Sequence, residues 1–212
     1  MSLQVFSLFQ SGKNGVKEEV ELARRIVLNV KACRIGFLNR FYNEIMTNED
    51  KELLREFISP KSVLIPLPKS APLVDGAQWP PREICRFFMS KGFGDSVFPL
   101  LQRVKKVPKA AFQVNAEERP TVQQHFESIK IVAGQFFPAG ISEIILVDDV
   151  VTQGRTGYAC FQRISNEFPD LPIKLFSLVR TTTFREITKC VLPRRTEIRY
   201  NEGSGKTNHF DD

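Results

Sequence analysis

The chain has 212 residues, 42% of them apolar and 25% charged, and its 30 Lys and Arg against 24 Asp and Glu leave a net charge of +6. That is enough chain for one α/β domain with a sizeable core, and the mild basic balance suits a polyanionic ligand or nucleic acid without choosing between them. No apolar run approaches the roughly 20 residues of a membrane span, no basic segment with an apolar core opens the chain, and Cys33, Cys85, Cys160 and Cys190 are too scattered for a zinc or redox pair. The expectation is a cytoplasmic protein with no membrane partner and reduced core cysteines.

In chain order, Leu3 to Phe9 reads as a short edge strand and Ser11 to Gly15 as a turn. Val16, Val20, Ala23, Val27, Val30, Phe37, Phe41 and Ile45 recur at helical spacing and predict one long helix from about Val16 to Met46, with Gly36 as its point of weakness. Asn48-Glu49-Asp50 looks like the cap of a shorter helix that buries Leu53, Leu54 and Phe57. Val63 to Leu67 is a buried strand followed by a loop carrying Lys69 and Ser70. Pro80-Pro81 opens a helix with Ile84, Phe87 and Phe88 inside, and Gly92 stops it. Trp79, just before that helix, reads as a buried structural residue, with stacking on a base as the second reading.

Val97 to Leu101 predicts a further strand, leading into Arg103, Lys105, Lys106 and Lys109 on a loop. A return strand is expected at Ile129 to Val132, with His125, one of two histidines, shortly before it. The plain reading of the basic loop is a solvated face, and that of His125 a structural one. Ile173 to Val179 is another buried strand, ending in Arg180 and three threonines, and Glu197 to Tyr200 a short one. Gly203-Ser-Gly-Lys206-Thr207 imitates the end of a P-loop, but the position five before Gly205 is Tyr200 instead of glycine. It reads as a flexible polar tail.

The most informative stretch is Glu143 to Gly157, EIILVDDVVTQGRTG. Four apolar residues, Ile144 to Val147, read as a strand buried on both faces of a parallel sheet. They run into Asp148 and Asp149, then Val150-Val151, then the polar loop Thr152-Gln153-Gly154-Arg155-Thr156, and then Tyr158, Phe161, Ile164 and Phe168 at helical spacing. Ligands of open α/β sheets bind beyond the carboxyl ends of the strands, a loop opening a helix offers N–H groups to a phosphate, and paired carboxylates suit vicinal hydroxyls or hydrated Mg²⁺. Together they describe a phosphorylated sugar. A solvated acid pair without a ligand is the bland alternative.

ILVDDVVTQGRT resembles the phosphoribosyl-diphosphate (PRPP) signature of type I phosphoribosyltransferases, and the Arg-Val-Lys run at Arg103 with Glu117-Glu118-Arg119 is similar to the competence-protein ComF group among them. Gln153 and Arg155 depart from the signature, where small or hydroxyl residues are usual. Ala110-Ala111 and Thr121-Val122 depart from the ComF pattern, and that group's N-terminal zinc cysteines are absent. The resemblance implies a single α/β domain with a mainly parallel sheet flanked by helices: a mostly helical N-terminal part over 1–60, a core over 61–180 and a tail over 181–212 that contributes to a base-recognising hood. It implies PRPP as substrate with Mg²⁺ carried by substrate and water, pyrophosphate release, an unidentified nitrogen acceptor, and a homodimer of the kind family members form. Asp148 and Asp149 take the catalytic position at the ribose hydroxyls, Thr152, Gln153, Gly154, Arg155 and Thr156 the 5′-phosphate, and Lys69, Ser70, Arg103, Lys105 and Lys106 the pyrophosphate. The alternative is a regulator on the same fold that senses PRPP or a nucleotide, or acts with nucleic acid, without turnover.

Overall fold

A computed structural model describes residues 2–108, 119–134, 137–182 and 186–211. Lys109, Ala110, Ala111, Glu117 and Glu118, which the sequence places on the basic loop, lie outside them. The centre is a seven-stranded sheet in the order β3-β2-β6-β7-β1-β8-β9, formed by β1 (Ser2–Ser11), β2 (Ser62–Pro66), β3 (Ser96–Val97), β6 (Glu143–Val151), β7 (Ile173–Thr181), β8 (Val191–Asn201) and β9 (Lys206–Asp211). The five strands from β3 to β1 are parallel; β8 and β9 close one side antiparallel. A hairpin of β4 (Leu101–Arg103) and β5 (Ile129–Ile131) forms a second, small sheet.

Alternate residues of the central strands feed two cores, as the two-residue period of a strand requires. Ile145 and Val147 of β6 face α1 (Lys17–Lys31), α2 (Ile35–Arg40), α3 (Asn48–Phe57) and α4 (Pro80–Ser90). Ile144 and Leu146 face α6 (Arg155–Glu167), Val122 of α5 (Val122–Glu127) and the β4–β5 hairpin. The first core is aromatic, with Phe6 stacked on Phe57 and Phe176, and Phe88 edge-on to Phe176.

Several expectations are corrected. The first strand is not an edge: β1 lies between β7 and β8, and Leu3, Val5, Phe6, Leu8 and Phe9 are buried. The N-terminal part thus enters the sheet through β1, while its helices α1 to α3 pack on one face. The long helix ends at Lys31, not at Gly36, because Cys33 takes a left-handed φ of 52°, which a helix does not pass through; α2 follows, running into one π turn at Phe41–Ile45. The cap of α3 is Thr47, one residue before the predicted cluster, in a capping box with Asp50. The predicted strand at Val97 to Leu101 is two strands in two sheets, separated at Phe98-Pro99-Leu100, where proline cannot donate to a ladder. The polar tail is not flexible: the strand over Glu197 to Tyr200 extends to Val191–Asn201, residues 202–205 turn, and β9 pairs back on β8.

The connections of β2 and β6 locate the site. From β2 the chain passes through α4 on one face to β3; from β6 it passes through α6 on the other face to β7. Adjacent parallel strands whose exits diverge leave a crevice at their carboxyl ends. The last paired residues are Pro66 and Val147, and Asp148 follows at once.

Candidate functional site

Beyond Val147 strand β6 loses β2 but keeps β7, with Asp148 opposite Ser177. The two acids are partly buried. The Asp149 carboxylate accepts an ion pair from Lys31 Nζ at 2.9 Å, at the C-terminus of α1, while the Asp148 carboxylate accepts the Asp149 backbone N–H at 2.9 Å. Burial and then the adjoining Asp149 push the Asp148 carboxyl well above the usual carboxylate range, with Lys31 opposing.

The polar loop is held from beneath. Gly154 takes φ 72° at the N-terminus of α6, and a Cβ there would lie 2.2 Å from Ile198 Cδ1 of β8. Only glycine meets both conditions. A Cβ on Gly157 would lie 2.7 Å from Leu175 Cδ2, so the first turn of α6 sits close on β7. The Thr207 hydroxyl donates to the Gln153 carbonyl at 2.5 Å, so the C-terminal hairpin clamps the loop.

Asp148, Val150, Val151 and the whole of Thr152 to Gly157 line a cavity of about 100 Å³ together with Arg119, Pro120 and His125. Enclosed pockets for whole small molecules start near 300 Å³, so this one suits the end of a ligand. Arg155 does not project into solvent: it is 7% exposed, and its Nη1 donates to the Arg119 and Pro120 carbonyls at 2.9 and 3.2 Å. Its Nε and that of Arg119 are buried without a hydrogen-bond partner among the described residues, as is the Gln153 amide oxygen.

The residues expected at the pyrophosphate are not all gathered here. Arg103 is not on a loop; it lies in β4, 2% exposed. Its Nε donates to the Lys69 carbonyl at 2.8 Å, its Nη1 to Ser128 Oγ at 2.5 Å and to the His125 carbonyl at 3.4 Å, and its Nη2 meets His125 Nδ1 at 3.4 Å. The Lys69 ammonium is tied to its own loop through the Gln78 carbonyl at 2.9 Å. Lys69 and Arg103 line a separate cavity of about 200 Å³ with Pro68, Leu73, Trp79, Pro99, Leu101 and Val132. The Ser70 carbonyl accepts from the Val107 N–H at 2.8 Å. Lys105 and Lys106 are exposed and line neither cavity. Trp79 is structural, 6% exposed, its indole N–H donating to the Leu67 carbonyl at 2.8 Å.

His125 is 7% exposed and lines the loop cavity, its Nε2 3.4 Å from Thr156 Oγ1. Burial, then Arg103 and Arg155, lower its pKa to about 4, so it is neutral. Sequence reasoning noted His125 and Arg119 without assigning them to the loop, and missed Lys31, which lies 118 residues from Asp149. The only local signal for Lys31 is a cation in the last turn of a helix, and that is common.

Among the described residues no group of three or more His, Cys, Asp or Glu side chains is placed to hold a metal ion. Compared with models of known protein families and with curated proteins, the sequence matches none. Among the described residues no helix is long and apolar enough to cross a membrane.

Proposed function

We propose that this site binds PRPP and transfers its phosphoribosyl group to a nitrogen nucleophile with release of pyrophosphate. The observation that carries the reading is the cavity at the start of α6, where the Arg119 and Arg155 side chains, Asp148 and the open first turn of the helix line a volume of phosphate size. Arginines that meet no carboxylate among the described residues favour an anion, and the resemblance of Ile144 to Thr156 to the PRPP signature suggests which one.

In this reading the N–H groups of the Thr152 to Thr156 loop and the Thr152 and Thr156 hydroxyls hold the 5′-phosphate. Asp148 and Asp149 face the ribose 2′- and 3′-hydroxyls, and Asp149 leaves Lys31 to do so. Mg²⁺ brought in by the substrate near these acids would supply neutralisation of the diphosphate. Lys105 and Lys106 are the exposed cations left to meet the same charge as it grows in the transition state. Little proton transfer is then needed.

The second reading is a sensor that binds PRPP without turnover. It is favoured by the internal ties of Lys69 and Arg103, which leave fewer cations for the leaving group than the resemblance implies. Association with nucleic acid gains less support, since Arg195 and Arg199 of β8 are paired with Glu56 and Glu197 instead of forming a bare basic stripe.

Calorimetric titration of PRPP with and without Mg²⁺, on the wild type and an Asp148→Asn/Asp149→Asn variant, tests the proposal. Metal-dependent binding that the variant loses is expected. Failure to bind under both conditions overturns enzyme and sensor together. Once binding is seen, pyrophosphate release across a panel of nitrogen bases separates the two.

A further inference from the structure

A threonine hydroxyl can donate or accept, and a phosphate cavity needs it to donate. Thr156 lines the cavity, and its hydroxyl oxygen meets His125 Nε2 at 3.4 Å. What the hydroxyl does depends on which imidazole nitrogen carries the proton.

Arg103 decides that. Its Nη2 faces His125 Nδ1 at 3.4 Å, and a guanidinium has donors only. A proton on Nδ1 would set N–H against N–H. Arg103 cannot swing away, because Nε is fixed on the Lys69 carbonyl and Nη1 on Ser128 Oγ, and Ser128 Oγ in turn donates to the His125 carbonyl at 2.8 Å. Nδ1 is therefore the acceptor. In a neutral imidazole the proton then sits on Nε2, and burial with two nearby guanidinium groups keeps the ring neutral. Nε2–H donates to Thr156 Oγ1, and the threonine's own hydrogen is left for the cavity.

We propose that Arg103 and His125 form a buried relay that fixes Thr156 as a hydrogen-bond donor, so that the cavity selects a ligand end that only accepts, a phosphate ester. The inference rests on the phosphate reading of the cavity and adds the device that sets its polarity. His125 is in this view a positioning residue. Arg103, which the sequence assigns to pyrophosphate, acts instead from behind the 5′-phosphate.

The test has two arms. Nitrogen-15 NMR of the imidazoles in the full chain, with His125→Gln to assign the signal between the two histidines, reads the tautomer directly. Protonated Nε2 with bare Nδ1 at neutral pH is expected; the opposite tautomer or an imidazolium in the wild-type chain overturns the relay. The second arm measures ribose 5-phosphate affinity in a double-mutant cycle. Thr156→Val should weaken binding about tenfold, the loss of one hydrogen bond to a charged group. His125→Phe should weaken it by a similar factor, His125→Gln, which keeps an amide N–H near the Nε2 position, by less, and the double variant no more than Thr156→Val alone. Additive losses overturn the relay. If the wild type does not bind ribose 5-phosphate, the phosphate reading falls with the selection argument, while the tautomer still decides whether the relay exists.

Discussion

Strand β6 carries Glu143 at its amino end and Asp148 just past the point where it parts from β2, and the two are treated in opposite ways. Glu143, at the amino end, has a complete set of partners: Lys174 Nζ at 2.7 Å, the Ser62 hydroxyl at 2.6 Å and the Ser59 N–H at 3.3 Å. Burial alone would push its carboxyl up, but the bonds from Lys174, Ser62 and Ser59 outweigh it and hold the carboxyl below its ordinary value. Asp148, five residues on, is pushed the other way by burial and by Asp149. One end of the strand is satisfied by the fold, and the other is left under electrostatic tension. Partners withheld from a buried charge mark a place where something else is meant to supply them.

The largest expected effect tests the satisfied end. Glu143→Ala takes the ion-pair partner from Lys174, leaving it the Phe57 carbonyl and ring, and strands the two serine donors, and should cost about 4 kcal/mol in denaturant unfolding. A loss under about 1 kcal/mol would erase the contrast between the two ends. The Glu143 contribution is present above its unfolded pKa and disappears as pH falls through the lower folded value.

His125 gives the next effect and has the same sign for a different reason. Its folded pKa of about 4 lies below the ordinary histidine value of 6.5, so between those values the unfolded chain holds the extra proton. Stability therefore falls as pH is lowered from about 6.5 towards 4, by about 3 kcal/mol in all. Unfolding curves of wild type and His125→Phe across that window should differ in slope, the variant losing this dependence. Parallel slopes would mean that the imidazole is protonated in the folded protein.

Asp148→Asn works the tense end. It keeps the acceptor for the Asp149 N–H and removes a group whose charged form the fold disfavours, so stability at neutral pH should rise, while PRPP binding is lost. Destabilisation comparable to that of Glu143→Ala would show that Asp148 is a structural acid after all.

These contrasts explain what could be read in advance. The strand, acid pair, glycine loop and helix at 143–168 are legible because four properties sit within one short stretch: apolar run, charge, a glycine in the loop and helical spacing. The ends of the sheet are not. Leu3 to Phe9 has the same composition whether it lies at an edge or in the middle, and only pairing with β7 and β8 settles it. The tail looks flexible in sequence because Gly203, Ser204 and Gly205 form its turn, while Ile198 is buried beneath Gly154 and Thr207 bonds the Gln153 carbonyl. Arg103 follows a basic pattern that says surface loop, yet it is held inside by carbonyls, a hydroxyl and an imidazole, none adjacent in sequence. Charge patterning reports the number of cations and not their partners.

The smallest expected effect falls on Lys31, the cation that faces the tense end. Its ammonium is half exposed and pairs with Asp149, whose side chain is 14% exposed. A pair so open to water contributes about 0.5 kcal/mol, so Lys31→Met should leave stability almost unchanged. Its electrostatic consequence is larger than its energetic one: Lys31 lowers the pKa of Asp148, and without it that carboxyl should hold its proton to still higher pH. Carbon-13 NMR of the aspartate carboxyls would read the shift. The same variant frees Asp149 from its only ion-pair partner among the described residues. If Asp149 must exchange Lys31 for a ribose hydroxyl, Lys31→Met should bind PRPP no more weakly than wild type at a pH where both acids are ionised. Weaker binding there would instead make Lys31 a ligand for the substrate's own phosphates, and the cation would belong to the site rather than stand in for its occupant.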